Sequence, residues 1–282
     1  MGPTGTQASS SERSAAAVDA ALARWRGRSA AGRRWRGAAA AVAMLVAVVA
    51  AWRLAGVDLG RLAQGVPRMG HWIAQAWPPT VHELPVFLER MAETVSIAFL
   101  GTLAAVLAAV PAALLAARGT APWPALRWPL RGVLNAFRGI DAFVFALVFV
   151  AAVGLGPFAG LIGVALHTWG SAAKLFAEQI ESMSLETTEA LAVGGAGRLL
   201  AIRHALLPEL APAWASQALY LFEFNVRAST VLGVVGAGGI GHELKASMDL
   251  LDFARLATIL AVILVAVTVI DAGSAWLRRR LA

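Results

Sequence analysis

The sequence predicts an all-α membrane protein that crosses the bilayer six times. Three observations carry this expectation. Of 282 residues, 59% are apolar and 15% charged, against roughly 45–50% and 25% in soluble domains. The apolar residues come in blocks of about 20, the length a helix needs to span hydrocarbon. The 24 basic residues, 22 of them Arg, fall mainly between those blocks. A basic chain can be a nucleic-acid binder, but this placement suits a topology signal better. There are no cysteines, which excludes disulfides, thiolate metal sites and thiol nucleophiles. The five His are scattered without metal-ligand spacing, so no metal site is expected.

Residues 1–36 form a polar tail with seven Arg, a basic cytoplasmic segment with at most a short helix near Ala15–Trp25. The run GAAAAVAMLVAVVAAWRLAG (37–56) is the first span. Arg33-Arg34 before it resembles a twin-arginine export signal, but further spans follow, which favours an uncleaved helix. Residues 57–90 read as a periplasmic loop with an interfacial segment, because Trp72 and Trp77 suit the membrane–water boundary.

The second span is 91–117, in which Pro111 is tolerable if neighbouring helices resatisfy the freed carbonyl. A short basic loop with Arg118, Arg127, Arg131 and Arg138 leads to the third span, 139–156. Glycines 154 and 156 with Pro157 turn the chain into the fourth, 157–178. Residues 180–208 are polar. The fifth span, 209–235, has polar residues in its middle, and the sixth covers 253–270.

Sixteen basic residues fall in 1–36, 118–138, 180–208 and 276–282, against four in the segments assigned to the other side, 57–90, 139–156 and 236–252. By the positive-inside rule both termini and the 180–208 loop lie in the cytoplasm.

Between the last two spans stands VLGVVGAGGIG (231–241), which contains the G-x-G-x-x-G spacing of dinucleotide-binding loops. A dinucleotide site also needs a second strand and an acid about 20 residues on. Here an apolar span follows, and 256–261 reads LATILA. Gly236, Gly238, Gly239 and Gly241 are therefore expected to end the fifth helix and form a gate or helix break.

The fifth span holds Glu223, Asn225, Arg227, Ser229 and Thr230. A charge at mid-membrane costs about 2.5–3.5 kcal/mol on insertion scales, so these groups should face the bundle interior. Glu223 and Arg227 are four apart and share a helix face. One reading is a buried pair that fixes packing. The other is that Arg227, with Asn225 and the hydroxyls, lines a path for a tetrahedral oxyanion, because its planar fork of donors suits such a group. His167 in the fourth span is either a further donor on that path or a satisfied core residue. Lys174 and Glu178 read as a snorkelling pair.

The polar loop contains EALAVGGAGRLLAIRHALLP (189–208). It resembles the EAA loop of ABC importer permeases, with Glu189, Ala190, Gly195, Leu207 and Pro208 at that family's spacing. Leu191 and Ala205 are mild departures. The segments 149–181 and 223–241 are similar to permeases of the phosphonate type, and the likeness runs over roughly 70–282.

The resemblance implies a type-1 ABC importer permease fold over 91–282, in the inner membrane, passing phosphonate, phosphite or phosphate. It implies that the 180–208 loop forms coupling helices seated on a cytoplasmic ATPase dimer, which would bind the ATP. A periplasmic or lipid-anchored substrate-binding protein and a second permease subunit complete the expected assembly. The chain itself has no phosphate-binding P-loop motif, so it is expected to hold no cofactor and to be no enzyme. The alternatives are an importer permease for an amino acid or sulfonate, an ion-driven secondary transporter, or a membrane oxidoreductase using the glycine stretch.

Overall fold

A computed structural model describes residues 35, 37, 39–183 and 197–281. Glu189, Ala190, Gly195 and nearly all of the 1–36 tail lie outside the described residues. By its contacts the chain divides into residues 1–68 and 69–282, described separately below. Among the described residues there are helices and turns but no strand, so no βαβ unit surrounds the glycine stretch.

In the first unit, α1 (Ala39–Leu54) is followed after Gly56 by α2 (Leu59–Gln75), which runs on past residue 68; the two helices meet at 51°. Gly56 has φ +61°, a conformation open to glycine. Asp58 then accepts a hydrogen bond from the Arg61 amide at 3.0 Å, capping the new helix. The expected loop 57–90 is thus largely helical.

The second unit is a helix bundle. Its long members are α3 (Leu84–Ala116), α4 (Pro124–Gly139), α5 (Ala142–Val153) and α6 (Pro157–Ser182). Then come α7 (Arg198–Ala201), a π-helical turn (Ile202–Leu206) and α8 (Leu207–Leu232). A 3-10 turn (Gly233–Val235), α9 (Ile240–Asp249) and α10 (Phe253–Leu281) complete it. Prolines open α3, α4, α6 and α8, where the missing amide costs nothing. Pro111 sits inside α3 without ending it.

The third span is corrected. Residues 118–138 are not a simple loop, and 139–156 is not one long rod. The amphipathic α4 turns by 87° into the 12-residue α5. Asp141 makes the corner, accepting from the Phe143 amide at 2.8 Å.

Among the described residues, three helical stretches are long and apolar enough to cross a membrane alone: α3, Leu199–Val235 and α10. The bent pairs α1–α2 and α4–α5 raise the number to five. The expected fourth span, α6, does not reach that standard, and the reason is its position. It packs against α3, α4, α5 and α8, so little of it needs to face lipid. Two glycines let it sit so deep. A Cβ at Gly163 would lie 2.8 Å from the Ala142 carbonyl oxygen, and one at Gly170 would lie 2.7 Å from the Arg138 amide nitrogen.

Candidate functional site

The glycine segment is built by close approach. Gly236, Gly238 and Gly239 have φ of +84°, +80° and +76°, which side chains rarely adopt. Gly241 is already helical, but a Cβ there would stand 2.1 Å from the Thr230 carbonyl oxygen. The segment ends α8, as its sequence suggests, and starts α9. The Thr94 hydroxyl of α3 accepts the Ile240 amide at 2.8 Å while donating to the Arg90 carbonyl at 3.0 Å. One buried threonine therefore caps α9 and ties it to α3.

Charges surround this end. Arg255 at the start of α10 donates from Nε to Glu83 and from Nη2 to Glu243, both at 2.7 Å. Arg90 pairs with Glu93 at 2.9 Å. These links join α9, α10 and the α3 entry, and the sequence reading assigned them no role.

In the middle of the bundle, Asn225 is enclosed. Its Nδ2 donates to the Thr102 hydroxyl of α3 at 2.8 Å and to the Thr168 hydroxyl of α6 at 2.9 Å. It braces three helices and presents no surface to solvent. Ser229 is also fully buried, and its hydroxyl has no partner among the described residues.

Glu223 and Arg227 do share a face, but the Glu does not hold the Arg. Both reach across to α10. Glu223, nearly buried, pairs with Arg278. Arg227 pairs with Asp271 at 3.1 Å and remains about half exposed. Asp271 and Arg278 are seven apart, two helical turns, so one stripe of α10 serves both. That spacing is present in the sequence, but Asp271 sits one residue beyond the apolar block 253–270 and so carries no mark of a charge within a span. Thr230 turns its hydroxyl back to the Arg227 carbonyl at 2.7 Å. His167 Nδ1 lies 2.8 Å from the Ile140 carbonyl, so it ties α6 to the α4–α5 corner.

At the opposite end, Glu181 accepts the Arg118 amide at 2.6 Å and also pairs with Arg131. Arg131 Nε donates to the Ala116 carbonyl at 2.9 Å. The ends of α3 and α6 are clamped there to the middle of α4, two residues before the described chain breaks off. Lys174 and Glu178 are 3.7 Å apart, a loose surface pair. Beyond the gap, Leu207 and Pro208 are the first residues of α8. The last residues of the expected coupling loop therefore run straight into a spanning helix.

The family model described as "Binding-protein-dependent transport system inner membrane component" matches residues 109–282. The putative phosphite transport system permease protein HtxC of Stutzerimonas stutzeri is 44% identical over 233 residues, 83% of each chain. The phosphite transport system permease protein PtxC of the same organism is 37% identical over 85% of this chain and 87% of its own. The phosphate-import permease protein PhnE of Mycolicibacterium smegmatis is 41% identical over 72% of this chain and 38% of its own. Among solved structures, an inward-facing MetNI methionine ABC transporter superposes with a TM-score of 0.62 at 18% identity, over 72% of this chain and 99% of that one. That last likeness concerns the fold.

Proposed function

This chain belongs to the family of binding-protein-dependent transport system inner membrane components, and from that premise we propose that it passes a phosphorus oxyanion, phosphite, phosphonate or phosphate, through an ATP-driven importer. The observation that carries the substrate class is the 44% identity to a phosphite permease over 83% of both chains. The amino-acid alternative has only a fold likeness behind it.

In this reading the complex contains two permease subunits, a cytoplasmic ATPase dimer and a substrate-binding protein on the outer face. Both termini and the 180–208 loop lie in the cytoplasm. Glu189, Ala190, Gly195, Leu207 and Pro208 form the coupling element. The direct entry of Leu207 and Pro208 into α8 supports this, because a push on the loop would move a rigid spanning helix.

Arg227 is the oxyanion's contact on the path. A half-exposed Arg–Asp pair inside a membrane bundle is costly against lipid, so that face is better covered by the second permease and water. A guanidinium held by one carboxylate keeps donors free for an anion. Thr230 and His167 flank the path, while Glu223, Asn225 and Ser229 stand behind it as packing. Gly236, Gly238, Gly239 and Gly241 form the break beside it.

Competition against labelled phosphite uptake tests the substrate class. Phosphonate and phosphate should suppress uptake and a sulfonate should not; the reverse order overturns the proposal. Arg227→Ala should abolish uptake while the complex still assembles. Normal uptake by that variant removes Arg227 from the mechanism.

A further inference from the structure

We infer that α2 lies flat in the membrane–water interface, with its apolar stripe in the lipid and its basic stripe on the phospholipid head groups. The helix has no buried residue. Leu59, Leu62, Val66, Met69 and Ile73 recur at three- and four-residue steps and are each more than half exposed. Those steps place them along one face. Arg61, Gln64, Arg68, His71 and Gln75 follow the same steps on the opposite face. A helix of this pattern with Arg on its polar side partitions into an interface rather than crossing a bilayer.

Its two ends fit that placement. The apolar run 37–56 already has the length of a span, so α2 begins where α1 leaves hydrocarbon. Gly56 and the Asp58 cap make it a new helix, not a continuation. At its far end Trp72 stacks on Phe253 with ring centroids 5.4 Å apart. Phe253 is the first residue of α10, where that span meets the membrane surface. Trp77 follows two residues after the helix, and tryptophan favours that depth. The chemistry it fits is a phospholipid head group, with Arg61 and Arg68 as donors to phosphate.

The chain has no cysteine, so single cysteines can report alone. Leu62→Cys, Val66→Cys, Met69→Cys and Ile73→Cys, with Arg61→Cys, Gln64→Cys, Arg68→Cys and Gln75→Cys, would each carry a nitroxide. The full chain is reconstituted in mixed phosphatidylethanolamine and phosphatidylglycerol vesicles. Accessibility to oxygen, which concentrates in lipid, is compared with that to a water-soluble nickel chelate. The oxygen-to-nickel ratio should be severalfold higher on the apolar stripe and oscillate with the helical period, at equal depth from residue 62 to 73. A steady depth gradient along the helix would make it half of a broken span, as its 51° bend with α1 also permits, and overturn the inference. An apolar stripe screened from both reagents would mean a protein covers it, and would overturn it equally.

Discussion

Helices α6 and α10 are both expected spans, yet they hold their places by different means. Eleven of the 26 residues of α6 are buried, although its sequence is too polar to pass as a span alone. In α10, which is strongly apolar, only Thr258, Ile259, Val262 and Ser274 are buried among the described residues. Hydropathy therefore marks contact with lipid, not centrality. A helix ringed by other helices is held by shape, through Gly163, Gly170 and a run of alanines. Without a hydrophobic gain from leaving lipid, close backbone approach and buried hydrogen bonds supply the attraction. A peripheral helix such as α10 is held by a few strong polar pairs and one apolar seam through Ile259, Val262, Ile263 and Val267, and much of the rest of its surface is exposed.

The sharpest way to break this contrast is Gly170→Val. Its side chain would meet the Arg138 amide and the Leu134 carbonyl, neither of which can step aside. We expect a loss above about 3 kcal/mol, seen as failure to recover a monodisperse chain in detergent. Next comes Arg278→Ala, which leaves the nearly buried Glu223 carboxyl without its partner. About 3 kcal/mol should be lost in reversible unfolding, and adding Glu223→Gln should restore part of it. Restoration by the second change is what separates pairing from packing.

Asn225→Leu removes the brace between α3, α6 and α8 and leaves two threonine hydroxyls to find new partners. The cost should be about 1–2 kcal/mol by the same measurement. The smallest effect belongs to Gly273→Val in α10, where an added Cβ meets nothing within 4 Å. Stability of the isolated chain should shift by under about 0.5 kcal/mol. If that variant instead fails to assemble with a second permease subunit, α10 is covered by protein rather than lipid at that level.

Much of the fold was legible because lipid imposes a simple rule. A backbone that cannot bond to water must form helices, and their outer faces must be apolar. That rule exposed α1, α3, α8 and α10. It misread the third span, because α4 is amphipathic and reads as a basic loop, while the apolar helix α5 that follows the Asp141 corner is only 12 residues long. It also hid α2 within a loop, since an amphipathic helix averages to a polar segment. In the candidate site, the glycine break was readable from spacing and context. The partners of Glu223 and Arg227 were not, because neighbours along a helix suggest pairs that neighbours across helices can outbid.

The residues themselves settled an all-helical membrane chain, a glycine break after the fifth span, and the likeness of the 189–208 loop to a known coupling element. Those properties follow from local composition and spacing, which act whatever surrounds them. Tertiary structure alone decided that α6 is the enclosed helix, that Asn225 is a brace, and that Arg227 turns to Asp271. Each depends on which helices meet and at what height, and many sequences of the same hydropathy could meet otherwise.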